Sequence, residues 1–236
     1  MSRFLMLRLD GPMQAWGLHT YEDFRPSNLF PTRSGLLGLL GACLGIDRRD
    51  YNGLNQLADS VEFMVRIDRI STCPETERKD IHKKAVRLTD YHTILEARRA
   101  NRAPQKGETI QTRREYLFDA AFTVAVKEKA GATISLDDIA EGLRKPVYTP
   151  VLGRRSCPIA RPLFFDEWQE AEHGKEALDK TATPGGLVYA EEEQLTNSRR
   201  LLLRDVPLYG HYRRFRTRMV FIHADKKEEE NVSEPS

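Results

Sequence analysis

The chain has 236 residues, 40% hydrophobic and 31% charged, which is the balance of a soluble globular protein with enough length for one large domain or two small ones. Its formal net charge of +2 is modest, so the distribution of charge matters more than the total. The three cysteines, Cys43, Cys73 and Cys157, are too few and too scattered for a disulfide framework, which points to a reducing cytoplasm.

Other classes fall away as well. The run Phe4–Leu7 is short and followed by Arg8, unlike a signal peptide. No C-x-x-C pair and no H-E-x-x-H occurs, so no metal ligands and no cofactor are expected.

Phe4 to Leu9 reads as a first strand, stopped by Asp10-Gly11-Pro12. The loop Met13 to Pro31 then carries Gln14, Trp16, His19, Tyr21 and Arg25. Tryptophan and arginine exposed in a loop suit base stacking and phosphate contact; the alternative is a tryptophan tucked into the core.

Phe30–Ile46 carries the densest signal. Pro31 ends what precedes it, Thr32 or Ser34 can cap a helix, and leucines give that helix a broad apolar side. Gly35, Gly38 and Gly41 recur every third residue, each costing about 1 kcal/mol against alanine. Their use would be close approach of another backbone, either a strand beneath or a phosphodiester chain above. Arg33 at the helix entrance reads as the cation of an anion site. The competing reading is a tightly packed core helix. The stretch is not a P-loop, since it lacks the Lys-Ser/Thr ending, and it falls short of the roughly 20 apolar residues of a membrane span.

A second helix is expected over Tyr51–Ser60 behind Asp50, then a half-buried strand over Val61–Ile70. Ala120–Val126 predicts a strand, Ser135–Arg144 a capped helix ended by Pro146, and Leu163–Phe165 a further strand. Strand, helix, strand, strand, helix, strand is the order of an α+β, ferredoxin-like (RRM-type) domain. In that order the middle strands normally join by a short turn, whereas here residues 71–119 intervene.

This insertion is strongly basic. Between Arg78 and Arg114, eleven lysines and arginines stand against four acids, an excess larger than the net charge of the whole chain. Val86–Ile94 and Thr109–Tyr116 both alternate branched or aromatic residues with polar ones, and an Asn101–Gly107 tip joins them. Together they predict an extended β-hairpin arm suited to tracking a phosphate backbone, against the plainer reading of a solvated loop. Val147–Pro158 brings Arg154 and Arg155 behind Gly153, a stiff turn with paired guanidinium groups or an ordinary surface turn.

Asp166–Glu176 is acidic and helical in propensity, and Thr183–Gly186 marks a turn. Leu201–Leu203 and Met219–Ile222 read as strands of a small second sheet. Between them Tyr209–Arg218 interleaves aromatics with cations, as nucleic-acid surfaces do. The tail from Lys226 reads as disordered. The expected organisation is an RRM-like domain over 1–165 with its arm, a smaller β subdomain over 166–225, and a tail over 226–236.

With these residues in view, the sequence resembles the CasD family, the subunit of the type I-E CRISPR Cascade complex that holds the 5′ handle of the guide RNA. The resemblance rests on Arg8–Gly17, Phe30–Ile46, Asp90–Thr93, Glu108–Thr112 and Tyr148–Pro158, which run in the family's order over about the first 160 residues. It implies an RRM-like domain with a thumb-like hairpin and a smaller C-terminal β part. It implies a non-catalytic role in the cytoplasm, capping the guide RNA with the thumb between guide bases. The neighbours would be the adjacent backbone subunit and the large subunit, with target DNA indirectly, and no membrane.

On that footing Arg25, Arg33, Arg154 and Arg155 would neutralise handle phosphates, with Ser34 orienting one of them. Trp16, Tyr91 or Tyr148 would stack unpaired bases, and Gln14, Gln111 and Thr112 would bond base edges or sugar hydroxyls. His92 and Arg113 complete the candidate RNA-binding set. Two alternatives stand beside this: a metal-independent endonuclease of CRISPR repeat RNA with His92 as general base near Tyr91, and a generic RRM-like adaptor.

Overall fold

The computed structural model describes residues 1–71, 85, 87–96, 103, 106–181, 186–192, 198–212 and 214–223. The sheet is organised by β1 (Ser2–Gln14), whose alternation sends Leu5, Leu7 and Leu9 to one face and Phe4 and Met6 to the other. β1 extends beyond the expected stop at Asp10-Gly11-Pro12. Its pairing steps from Gly11↔Ala120 to Met13↔Phe118, which leaves Pro12 outside the paired positions, where its missing N–H costs no ladder bond.

The expected loop after β1 is laced with short strands. These are β2 (Trp16–Gly17), β3 (Phe24–Arg25) and β4 (Ser27–Asn28). β2 pairs with β4. Next come α1 (Arg33–Leu44), capped by Thr32 and closed by Gly45, and α2 (Tyr51–Ser60), capped by Asp50. β5 (Val61–Arg69) and β6 (Arg87–Leu95) precede β7 (Thr109–Glu128).

β7 is one strand where the sequence predicted two runs. Its first part pairs with β6 from Arg87↔Leu117 to Leu95↔Thr109, forming the basic hairpin. Its second part lies between β1 and β5. Asp119 takes a left-handed φ of 48° where arm passes into core, two residues before the shift of the β5 register opposite Ala121 and Phe122. Most of the Asn101–Gly107 tip lies outside the described residues.

α3 (Leu136–Arg144) starts at a Ser135–Asp138 capping box. The fourth strand of the core is β8 (Trp168–Ala171), which pairs with β1, and not Leu163–Phe165. Leu163 and Phe164 instead bury their side chains in the core, with the Leu163 carbonyl accepting from the Arg8 N–H. The acidic stretch Asp166–Glu176 is therefore not a helix. Trp168 docks at the β1 edge under Arg3, and only α4 (Gly174–Asp179) is helical, so tertiary packing overrides propensity.

β9 (Val188–Ala190), β10 (Arg199–Leu208) and β11 (Arg214–His223) complete the chain. They do not make a separate second sheet. β9 pairs with both β5 and β11, so the described strands run β10-β11-β9-β5-β7-β1-β8 in one large sheet, with β3 and β6 added on β7. The chain is thus a mixed α/β protein with a large, mainly antiparallel sheet and few helices. The first three helices cover one face and α4 covers part of the other. Most of the Thr183–Gly186 turn and the tail from Lys226 lie outside the described residues.

Candidate nucleic-acid interface

The site begins where two sequence stretches are forced together. The carbonyl of Leu152 accepts the Ala15 N–H at 3.1 Å, joining the end of β1 to the turn that follows α3. Gly153 turns there with φ +89°, and a Cβ on it would stand 1.8 Å from the Ala15 carbonyl oxygen, so only glycine fits. This tight join fixes Arg154. Its guanidinium donates to the carbonyls of Glu115 at 2.8 Å and Arg25 at 2.9 Å and lies 4.7 Å from the Tyr116 ring.

Beside that join opens a cleft of about 730 Å3, between α1, the segment 15–26, the 151–154 turn and the ends of β10 and β11. Arg25, Arg154, Arg204, Arg214 and His19 line it, and among the described residues no acidic side chain does. Clustered cations without counter-charge raise the local positive potential, which favours a polyanion. The floor is the Gly35, Gly38 and Ala42 face of α1, with Ser34 at its head. A Cβ on Gly38 would meet nothing within 4 Å, so the floor leaves room for a backbone to lie flat on it. The expectation that the glycine spacing serves close approach divides in two. Gly35 makes room for the Trp16 indole, 2.7 Å from its ideal Cβ, whereas Gly38 opens to the cleft.

Several nominated residues are used by the fold instead. Trp16 is fully buried and its indole N–H donates to Gln14 Oε1 at 3.1 Å, so it offers no stacking face. Gln14 is also fully buried, its amide donating to the carbonyls of Leu9 and Ala120. Thr112 is buried in the hairpin, donating to the His92 carbonyl and accepting from Arg114. These three are clips of β1 and β7, because a buried polar group must find partners inside the protein.

Arg33 is the largest correction. It is buried, its guanidinium pairs with Glu191, and it donates to the carbonyls of Ala58 at 2.6 Å and Val61 at 3.1 Å. Its backbone N–H at the helix start is taken by Asp205 at 2.7 Å. The helix N-terminus is therefore satisfied by a carboxylate of this chain and is no open anion site. Arg33, Arg154 and Arg155 consequently form no common cradle. Arg155 is exposed on the turn and does not line the cleft.

The remaining nominees divide by place. Arg25, Ser34 and Arg154 come together in the cleft. Tyr91, Gln111 and Arg113 are exposed on the hairpin, Tyr91 directly across from Arg113, and His92 is half-buried beside them. Tyr148 is half-exposed, its N–H donating to the Ala42 carbonyl near the end of α1. None of these last five lines the cleft, so the pairing of Tyr91 with His92 is not gathered with the cleft cations. The sequence pattern does not single out Arg204 or Arg214. Arg214 sits in the aromatic and cationic run Tyr209–Arg218, which was the available signal, while Arg204 follows a run of leucines that concealed it.

Burial tunes nearby groups away from reactivity. It pushes the Cys43 thiol up to about 11 and also raises Cys157, so neither thiol is an activated nucleophile. Burial likewise pushes Tyr209 up to about 12, against the opposing pull of Arg33. Among the described residues no group of three or more His, Cys, Asp or Glu is placed to hold a metal, and no helix is long and apolar enough to cross a membrane.

Comparison with known proteins identifies the family. The family model for CRISPR-associated protein (Cas_Cas5) matches residues 4–224. The CRISPR system Cascade subunit CasD of Escherichia coli (strain K12) is 45% identical over 222 residues, covering 94% of this chain and 96% of that protein. A chain of a CRISPR RNA-guided surveillance complex superposes with a TM-score of 0.71 at 31% identity, over 94% of this chain and 89% of that one. A crystal structure of a Cas protein gives a TM-score of 0.63 at 24% identity, over 95% and 96% of the two chains, and supports the fold. With nearly its whole length matched by the family model, the chain belongs to the Cas5 family of CRISPR-associated proteins.

Proposed function

We propose that this chain is a non-catalytic RNA-binding subunit of a CRISPR Cascade surveillance complex, capping the 5′ handle of the guide RNA. The handle's phosphodiester chain lies in the cleft, over Gly38, with Arg25, Arg204 and Arg214 neutralising phosphates and Ser34 orienting one. Arg154 frames the wall. The hairpin of β6 and β7 acts as a thumb between guide bases, with Tyr91 stacking and Gln111 and Arg113 touching backbone or sugar. Tyr148 and Arg155 extend the contact outside the cleft. Its neighbours are the adjacent backbone subunit and the large subunit, in the cytoplasm.

The observation that carries this reading is an arginine-lined cleft with no acidic wall among the described residues and an unfilled glycine floor. The similarity to CasD and to a chain of an RNA-guided surveillance complex supports the identity of the ligand. The strand order β8-β1-β7-β5, with helices joining β1 to β5 and β7 to β8, supports a ferredoxin-like, RRM-type core.

Gly38→Leu tests the proposal. A Cβ there meets nothing within 4 Å and the helix loses an interior glycine, so the melting temperature is expected to hold or rise, while affinity for guide-length single-stranded RNA falls by about tenfold or more through lost cleft volume and phosphate contacts. Unchanged RNA affinity in this variant would remove the cleft from the account.

A further inference from the structure

The walls of the cleft are attached by different means. On the β1 side, apolar packing and backbone bonds hold it. At the cleft end of β10 and β11, the described residues from Arg204 to Met219 include one buried side chain, and it is the carboxylate of Asp205. Leu208 and Tyr212 on the same hairpin end are exposed. Val206, Tyr209 and Phe215 are only half-buried, so apolar burial is a partial hold on this end against α1, yet Arg204, Arg214 and Phe215 must stay there to form the wall.

Asp205 sits at the irregularity in the β10–β11 register, directly after Arg204. One carboxylate oxygen accepts the backbone N–H of Arg33 at 2.7 Å and the Arg218 Nη2 donor at 2.9 Å. The other accepts from Arg218 Nε at 2.7 Å, completing a bidentate pair. Arg218 Nη1 lies 3.4 Å from Glu191, which also pairs with Arg33. Two arginines and two acids, all largely buried, thus join the start of α1 to the hairpin. Burial disfavours the charge on Arg218, but the Asp205 hydrogen bonds and Glu191 outweigh it and raise that group above the ordinary arginine value. The partial positive charge at the helix start lies against this carboxylate, which takes the Arg33 N–H.

We propose that Asp205 is a positioning residue: by tying the β10–β11 hairpin to the first turn of α1, it sets Arg204 and Arg214 over the cleft. It touches no ligand itself. An acid so close to a polyanion site is tolerated because its charge is consumed by Arg218 and by the helix start. This inference rests on the cleft reading above.

The test is the slope of log affinity against log salt for guide-length single-stranded RNA, using the full chain. Each single-strand phosphate contact contributes about 0.7 to that slope. Arg204→Ala with Arg214→Ala should lower the slope by about 1.4. Asp205→Asn, nearly the same shape, should lower it by a similar amount, and adding the two arginine substitutions to it should lower it no further. Arg218→Lys keeps the charge and loses the bidentate bond; its intermediate slope carries the test if Asp205→Asn folds poorly. A full slope in both Asp205→Asn and Arg218→Lys, or losses that simply add, overturns the positioning role while leaving the cleft in place. An unchanged slope in the double arginine variant overturns the cleft reading and this inference with it.

Discussion

The cleft and the hairpin arm are both basic and both meet solvent, but their polar residues are held in opposite ways. Around the cleft, Gln14, Trp16, Arg33 and Asp205 are buried and matched to partners, so that a few arginines stand at fixed places on a glycine floor. Along the arm, Leu88, Tyr91, Leu95, Gln111 and Arg113 are exposed, and the hairpin is held by its ladder with β7. A rigid cleft can fix the register of one strand, because cations already held near their places lose less freedom on binding. An exposed arm gains order from what it touches, which suits a wedge that enters a partner. The difference teaches that the basic residues of this chain are of two kinds, those that build the surface and those that are the surface.

Arg33→Ala strains that distinction most. It leaves Glu191 and the carbonyls of Ala58 and Val61 without their buried donor, and should cost about 3 to 5 kcal/mol of stability. Urea unfolding measures this directly. A variant that is fully stable yet weak for RNA would return Arg33 to the ligand-contacting class.

Tyr91→Ala probes the opposite kind. Its ring is exposed on the arm, so the free chain should keep its stability to within about 0.5 kcal/mol. Guide-RNA retention by the assembled complex should fall by about 1 kcal/mol or more from one lost stacking contact. Destabilisation of the free chain would show that the arm is part of the core.

Glu62→Gln gives the smallest effect. Glu62 is buried on β5, and its carboxyl is raised chiefly by that burial and then by Glu192, with Glu191 also contributing. The folded state therefore binds this proton more tightly than the unfolded chain does. The resulting stability is present in acid and lost as pH rises through the raised value. The glutamine variant should melt higher than the natural protein at pH 7, with the difference closing as pH falls; a gap that widens in acid contradicts the assignment.

What the sequence revealed follows the range of the forces involved. The helices were legible because Thr32, Asp50 and Ser135 cap them locally, and β5 because its alternation is regular, although it is buried on both faces and not half-buried, with Glu62 and Arg66 inside. The continuity of β7 was hidden by the left-handed turn at Asp119, and β8 by the acids around it. At the site, charge and helix-start pattern point to Arg25, Ser34 and Arg154, and these share the cleft. The fate of Arg33 was unreadable because its partners Glu191 and Asp205 lie 158 and 172 residues away. Charge pattern locates a cation, but only the fold says whether an acid is waiting for it.

The most direct test of the cleft is ultraviolet crosslinking of guide RNA within the assembled complex, followed by mass spectrometry of the adducted peptides. Adducts on Phe215 and His19, which line the cleft beside the arginines, are the expected result. Adducts confined to the hairpin or to the far face of the sheet, with none on those two residues, would contradict it.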